Sequence, residues 1–132
     1  MRTHLEFRSK SLLDAHDDPD LPQGKAVAAL LISKLPSAGF EVEDSVPEDW
    51  GWWVRLRHDP FPLRIGCGFY PEYEDGFLCF IEPSKPFVRR WLRRIPTEQP
   101  VERLADAVEG ILRGSDDIRD LRWWTEAEVA QG

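Results

Sequence analysis

This chain has little histidine or cysteine and no long apolar run. Its 132 residues include two cysteines, three histidines and one methionine. The longest apolar run, Ala26-Val27-Ala28-Ala29-Leu30-Leu31-Ile32, falls far short of the ~20 residues that span a bilayer. Met1–Phe7 carries no signal-peptide h-region. No membrane association is therefore expected, and a cytoplasmic location is. The chain has no Ser-His-Asp order, GxSxG, P-loop, GxGxxG or HExxH pattern, so the common motif-borne chemistries find no support. No cofactor and no metal is expected, and catalysis is the lesser expectation.

What is present is apolar enough to fold. Hydrophobic residues make up 42% of the chain and charged ones 31%, a composition that suits one globular domain over 1–132. The formal net charge is −7 and the pI is near 4.9, which argues against nucleic acid as a partner. The charge is segregated. Asp14, Asp17, Asp18 and Asp20 cluster, as do Glu41, Glu43, Asp44, Glu48 and Asp49, whereas Lys85, Arg89, Arg90, Arg93 and Arg94 run without an acid among them.

Periodicity supplies the elements. Leu5–Arg8 alternates as a short strand, and 14–20 reads as an acidic, turn-rich loop. Leu21-Pro22 opens a helical pattern to Leu35 with a Val27, Leu30, Leu31, Leu35 stripe, stopped by Pro36 and Gly39. Phe40–Glu43 alternates, and Val46–Asp49 reads as a connection. Trp50–Arg57, Leu63–Tyr70 and Phe77–Glu82 then form three strands joined by short turns, which makes them antiparallel neighbours. Ser84–Ile95 reads as a short helix, apolar at Phe87, Val88, Trp91, Leu92 and Ile95 and basic on its wet face. Val101, Leu104, Ala105, Val108, Ile111 and Leu112 mark a second long helix ending at Gly114. Ile118–Trp124 reads as a last strand, and 125–132 as a frayed tail. The expected fold is α+β, a mainly antiparallel four- to five-stranded sheet with two principal helices packed on one face.

Alternation divides the sheet into two faces. Trp52, Val54, Leu56, Leu63, Ile65, Cys67, Phe69, Phe77, Cys79 and Ile81 form an apolar face. Pairing Tyr70 with Gly76 sets Cys67 opposite Cys79 on it, where two small buried thiols are the plain expectation and a structural disulfide the rival. The other face holds Trp53, Arg55, Arg57, Arg64, Gly66, Gly68, Tyr70, Leu78, Phe80 and Glu82. Interior glycines cost a strand roughly 0.5–1 kcal/mol each and leave bare sheet, on which a ring or a second backbone can lie. The plain reading is that Trp53 and Phe80 cover the glycines and the arginines pack over the rings. The functional reading is a partner or ligand surface.

Three further groups have bland alternatives. Asp14-Ala15-His16-Asp17-Asp18-Pro19-Asp20 offers one imidazole and four carboxylates to a cation but lacks calcium-loop spacing and its glycine, so it reads as a solvated acidic turn. His58 lies beside Asp59, but adjacent strand residues point to opposite faces, and Asp59 reads as a turn former before Pro60. Glu48-Asp49 can steer a basic partner or simply solvate a loop.

The expected function is a non-catalytic interaction module. It engages a protein partner through Glu48, Asp49, Trp53, Arg55, Arg57, Arg64, Tyr70 and Phe80, with acids steering the encounter and aromatics supplying burial. Small immunity-type inhibitors share this plan by analogy of fold and charge alone. The rival is a small-ligand domain or enzyme holding an anion with Arg55, Arg57 and Arg64. A third reading makes the basic segment 86–94 the contact for an acidic partner or for a second copy in a homo-oligomer.

Overall fold

The computed structural model describes residues 1–15, 18 and 20–131; His16, Asp17 and Pro19 of the acidic loop lie outside them. The elements in order are β1 (Arg2–Arg8), α1 (Lys25–Lys34), a 3-10 turn (Leu35–Ala38), β2 (Val42–Glu48), β3 (Gly51–Leu56), β4 (Leu63–Phe69), β5 (Gly76–Glu82), β6 (Phe87–Arg90), β7 (Arg93–Pro96), α2 (Glu98–Arg113), β8 (Arg119–Thr125) and α3 (Glu126–Gln131). The fold is α+β. One six-stranded sheet runs β2-β3-β4-β5-β1-β8, antiparallel at every step, and β6 with β7 forms a separate two-stranded sheet.

The β3-β4-β5 meander lies where strand alternation sets it. Val54 pairs with Ile65 and Ile65 with Ile81, while Cys67 pairs with Cys79. These side chains, with Leu5 and Phe7 of β1, join Val27, Leu31 and Leu35 and the α2 residues Val101, Leu104, Ala105, Val108 and Leu112 in one buried core. Both cysteines are free thiols in that core. The neighbouring Cys79 thiol and burial push Cys67 well above the usual thiol range, which keeps it protonated and unreactive.

The chain departs from sequence expectation in five places. The sheet has six strands because β1 slots between β5 and β8. β2 continues through Val46-Pro47-Glu48, and as the sheet's edge it tolerates Pro47. α1 starts at Lys25 rather than Leu21. Its free N–H groups are satisfied from ten residues away, since the Asp14 carboxylate accepts from Gly24 at 3.1 Å, Lys25 at 3.0 Å and Ala26 at 2.9 Å. Gly24, at φ 122°, also lies so close to β4 that a Cβ would stand 2.4 Å from the Cys67 carbonyl oxygen.

The fourth departure is the largest: 87–96 is a β-hairpin, not a helix. Its apolar spacing is a palindrome about Trp91-Leu92. A hairpin pairs Val88 with Ile95 and packs both against the core, and all four arginines stay in water. A ten-residue helix would be marginal on its own and would have had to bury Trp91 and Leu92. Trp91 turns the chain at φ 60°. Lastly, 126–131 is a short helix rather than a fray.

Candidate functional site

The residues singled out from sequence fall into three neighbourhoods. The first is the second sheet face. Trp53, Gly66, Phe80 and His4 stand side by side across β3, β4, β5 and β1. Phe80 lies directly on Gly66, where a Cβ would stand 2.2 Å from the ring. Trp53 meets Phe80 edge-on at 5.3 Å, and Trp50 folds over both at 4.9 and 5.1 Å. His4 stacks on Phe80 at 5.8 Å. Trp53 is only 9% exposed.

The arginines of this face are engaged. Arg64 stacks 3.6 Å above the Trp53 ring and donates from Nη2 to Glu82 at 2.8 Å. Arg55 makes a two-pronged pair with Asp44 of β2 and holds that carboxyl below the usual carboxylate range. Arg57, just past β3, pairs with Glu41 at 3.5 Å. Tyr70 is not in the aromatic cluster. It meets Tyr73 in the β4–β5 turn, and burial, followed by the Glu6 charge, pushes its phenol upward.

The second neighbourhood is one end of the sheet. Gly51 pairs with Gly68, Phe69 with Phe77 and Arg8 with Gly76, so the β2–β3 turn, the β4–β5 turn and the exit of β1 share that end. It is acidic, with Glu48, Asp49, Glu72 and Glu74 exposed. One acid there has a structural duty. Asp75 is buried and pairs with Arg8 at 2.9 Å and with Arg119, which together hold its carboxyl below the usual range and tie the turn to β1 and β8. A cleft of about 610 Å³ opens beside the β2–β3 turn, with Leu21, Pro22, Pro47 and Trp52 as its apolar walls and Asp14, Glu48 and Asp49 as its acids. Lys25 sits at its edge, 5.6 Å over Trp52. Among the described residues no cation pairs with Glu48 or Asp49.

The third neighbourhood is the opposite end, about 20 Å away along strands of this length. Leu56 pairs with Leu63 and Arg64 with Glu82, so the β3–β4 turn and the exit of β5 lie here. The hairpin follows, held to the turn by Arg90, whose Nη1 donates to the Asp59 carbonyl at 2.7 Å. Its tip, Trp91 and Leu92, is 93% and 99% exposed. Behind the tip Arg90 faces Arg93 and Arg89 faces Arg94. Sequence periodicity marked these residues as apolar helix positions and so hid the tip.

A cleft of about 860 Å³ between hairpin and turn brings Arg55, Arg64, Arg89 and Arg90 together, with Glu43, Asp59 and Glu82 among them. His58 lines it too. Its Nδ1 donates to the Phe61 carbonyl at 2.9 Å, which fixes the ring within the turn. Among the described residues no group of three metal-ligating side chains occurs, and no helix is long and apolar enough to cross a membrane. No family model, curated protein or solved structure gives a significant match to the chain.

Proposed function

We propose that the protein is a non-catalytic interaction module that binds a protein partner at its acidic end. In this reading α1 and α2 back one face of the sheet, and the ends of the strands are left for recognition. The observation that carries the proposal is the cleft beside the β2–β3 turn, where Glu48 and Asp49 stand without a cationic partner among the described residues, next to the apolar walls Leu21, Pro22 and Trp52. Exposed carboxylates around a cleft with apolar walls select a basic element with an apolar tip. The charges raise the on-rate, and burial of the tip supplies the affinity.

The rival reading, a small anion held by Arg55, Arg57 and Arg64, has a cleft, but each of those three arginines already pairs with a carboxylate. Arg57, moreover, does not line the cleft. The two readings separate by substitution. Glu48→Lys with Asp49→Lys is expected to abolish capture of a protein partner from native extract, and Arg55→Ala with Arg64→Ala to leave it. If the arginine pair abolishes capture and the acid pair does not, or if a panel of small anions raises the melting temperature while no protein is captured, the proposal fails.

A further inference from the structure

We propose that the acidic cleft of one copy receives the β6–β7 hairpin of a second copy. This rests on the reading of the acidic end as the partner-binding surface, and it names that partner.

Among the described residues the hairpin lacks the counterpart it is built for. Directly opposed like charges disfavour a strand pair, yet Arg90 faces Arg93 and Arg89 faces Arg94. No carboxylate among the described residues pairs with any of the four. Arg90 donates to the backbone carbonyls of Asp59 and Pro60, and Arg94 lies 4.0 Å over the Phe87 ring. In front of this collar Trp91 and Leu92 stand almost wholly in water. The element is an apolar wedge with cations behind it. It fits a cleft with apolar walls and acids at the rim.

The same chain carries such a cleft. Its walls are Leu21, Pro22, Pro47 and Trp52, and its charged lining is Asp14, Glu48 and Asp49 with Lys25 beside them, so the acids outnumber the cation. The two surfaces match in both respects, apolar to apolar and anion to cation. They cannot meet within one molecule, because they lie at opposite ends of the sheet. A second copy supplies the match. When the contact is made reciprocally about a two-fold axis it forms twice and closes a dimer. An anionic lipid surface would satisfy the hairpin alone and leave the acidic cleft unfilled, so the second copy is favoured.

The test is sedimentation velocity of the full chain, with two charge-reversed variants. One carries Arg89→Glu, Arg90→Glu, Arg93→Glu and Arg94→Glu. The other carries Glu48→Lys and Asp49→Lys. All six side chains are exposed, and Asp14 is kept because it caps α1. The wild-type chain is expected to exceed the mass of one chain as concentration rises at low salt and to return toward it at high salt. Each variant alone is expected to stay at the mass of one chain, and an equimolar mixture to associate again, since the acidic hairpin of one then meets the basic cleft of the other. Trp91→Ala is expected to weaken wild-type association at least about tenfold.

Wild-type chain that keeps the mass of one copy at its solubility limit overturns the proposal, as does association that survives both reversals or a mixture that fails to restore it. Monomeric chain that binds phosphatidylserine vesicles through Trp91 also overturns it and assigns the hairpin to lipid. If the chain is monomeric and Glu48→Lys with Asp49→Lys still abolishes capture of another protein, only this inference fails. If neither self-association nor capture responds to that pair, the acidic-end reading fails with it.

Discussion

Arg64 with Trp53 on the sheet and Arg90 with Trp91 on the hairpin are the same residue types in opposite circumstances. On the sheet, Glu82 reaches Arg64 from the next strand, the guanidinium lies on the indole, and the indole is packed against Phe80 and Trp50. On the hairpin, the residue across from Arg90 is another arginine, and the indole stands 93% exposed beyond it. The difference shows that an aromatic–arginine surface becomes available through the strand beside it, not through its composition. In the six-stranded sheet Arg55 and Arg64 each have a neighbouring strand that supplies an acid. A two-stranded ribbon has only its own mate, and here that mate is equally basic.

Removal of the two indoles in turn is expected to have the largest effect. Trp53→Ala is expected to cost about 3–5 kcal/mol of stability, the range for a buried large aromatic, in urea denaturation. Trp91→Ala is expected to stay within about 0.5 kcal/mol of wild type, as exposed positions do. Equal losses would mean that the two regions do not differ in packing.

Next in size is the close approach of Phe80 to Gly66. Gly66→Ala places a methyl group where the ring lies, and overpacking of this kind costs about 1–3 kcal/mol. In a double-mutant cycle Phe80→Ala is expected to recover part of that loss, because the clash disappears with the ring. Strictly additive losses would show that the glycine is not required by Phe80.

Acid pH singles out the buried, paired carboxylate of the acidic end. Arg8 and Arg119 hold the Asp75 carboxyl below its unfolded value. Its contribution to stability is therefore complete above the unfolded pKa of about 3.9 and is lost as pH falls through the lower folded value. Stability of Asp75→Asn is expected to lie below wild type near neutral pH, with the gap narrowing as the solution is acidified. A gap that is constant, or that widens in acid, would contradict the ion-pair account. Smallest of all is the half-exposed Arg64–Glu82 pair, whose coupling in a double-mutant cycle is expected to be about 0.2–1 kcal/mol.

Much of the sheet was legible in the sequence because period-two alternation is a local property. Val54, Ile65, Cys67, Cys79 and Ile81 assign themselves to one face, and the turn around Tyr73 sets Cys67 against Cys79. What was hidden depends on contacts distant along the chain. The start of α1 is set by Asp14, ten residues before Gly24. The neutralising partner of Arg55 is Asp44, on a strand whose reach past Glu43 is concealed by Pro47, a residue that only an edge strand admits. The 87–96 segment is the instructive failure. Its apolar positions satisfy a helical period and a hairpin palindrome equally, and the core contact of Val88 and Ile95 decides between them. Of the eight residues chosen as a contact surface, Trp53, Arg55, Arg64 and Phe80 come together as a self-satisfied face. Glu48 and Asp49 pair with no cation among the described residues, Arg57 is paired with Glu41, and Tyr70 lies apart.

Hydroxyl-radical footprinting of the full chain, read by mass spectrometry across a dilution series, tests the contrast between covered sheet and open hairpin most directly. In dilute solution Trp91 and Leu92 are expected to be the most heavily oxidised of the large apolar residues and Trp53 among the least. On concentration, Trp91 is expected to become protected together with the Glu48–Trp52 turn. Trp53 and Phe80 oxidised as readily as Trp91, or Trp91 already protected in the dilute chain, would contradict the account.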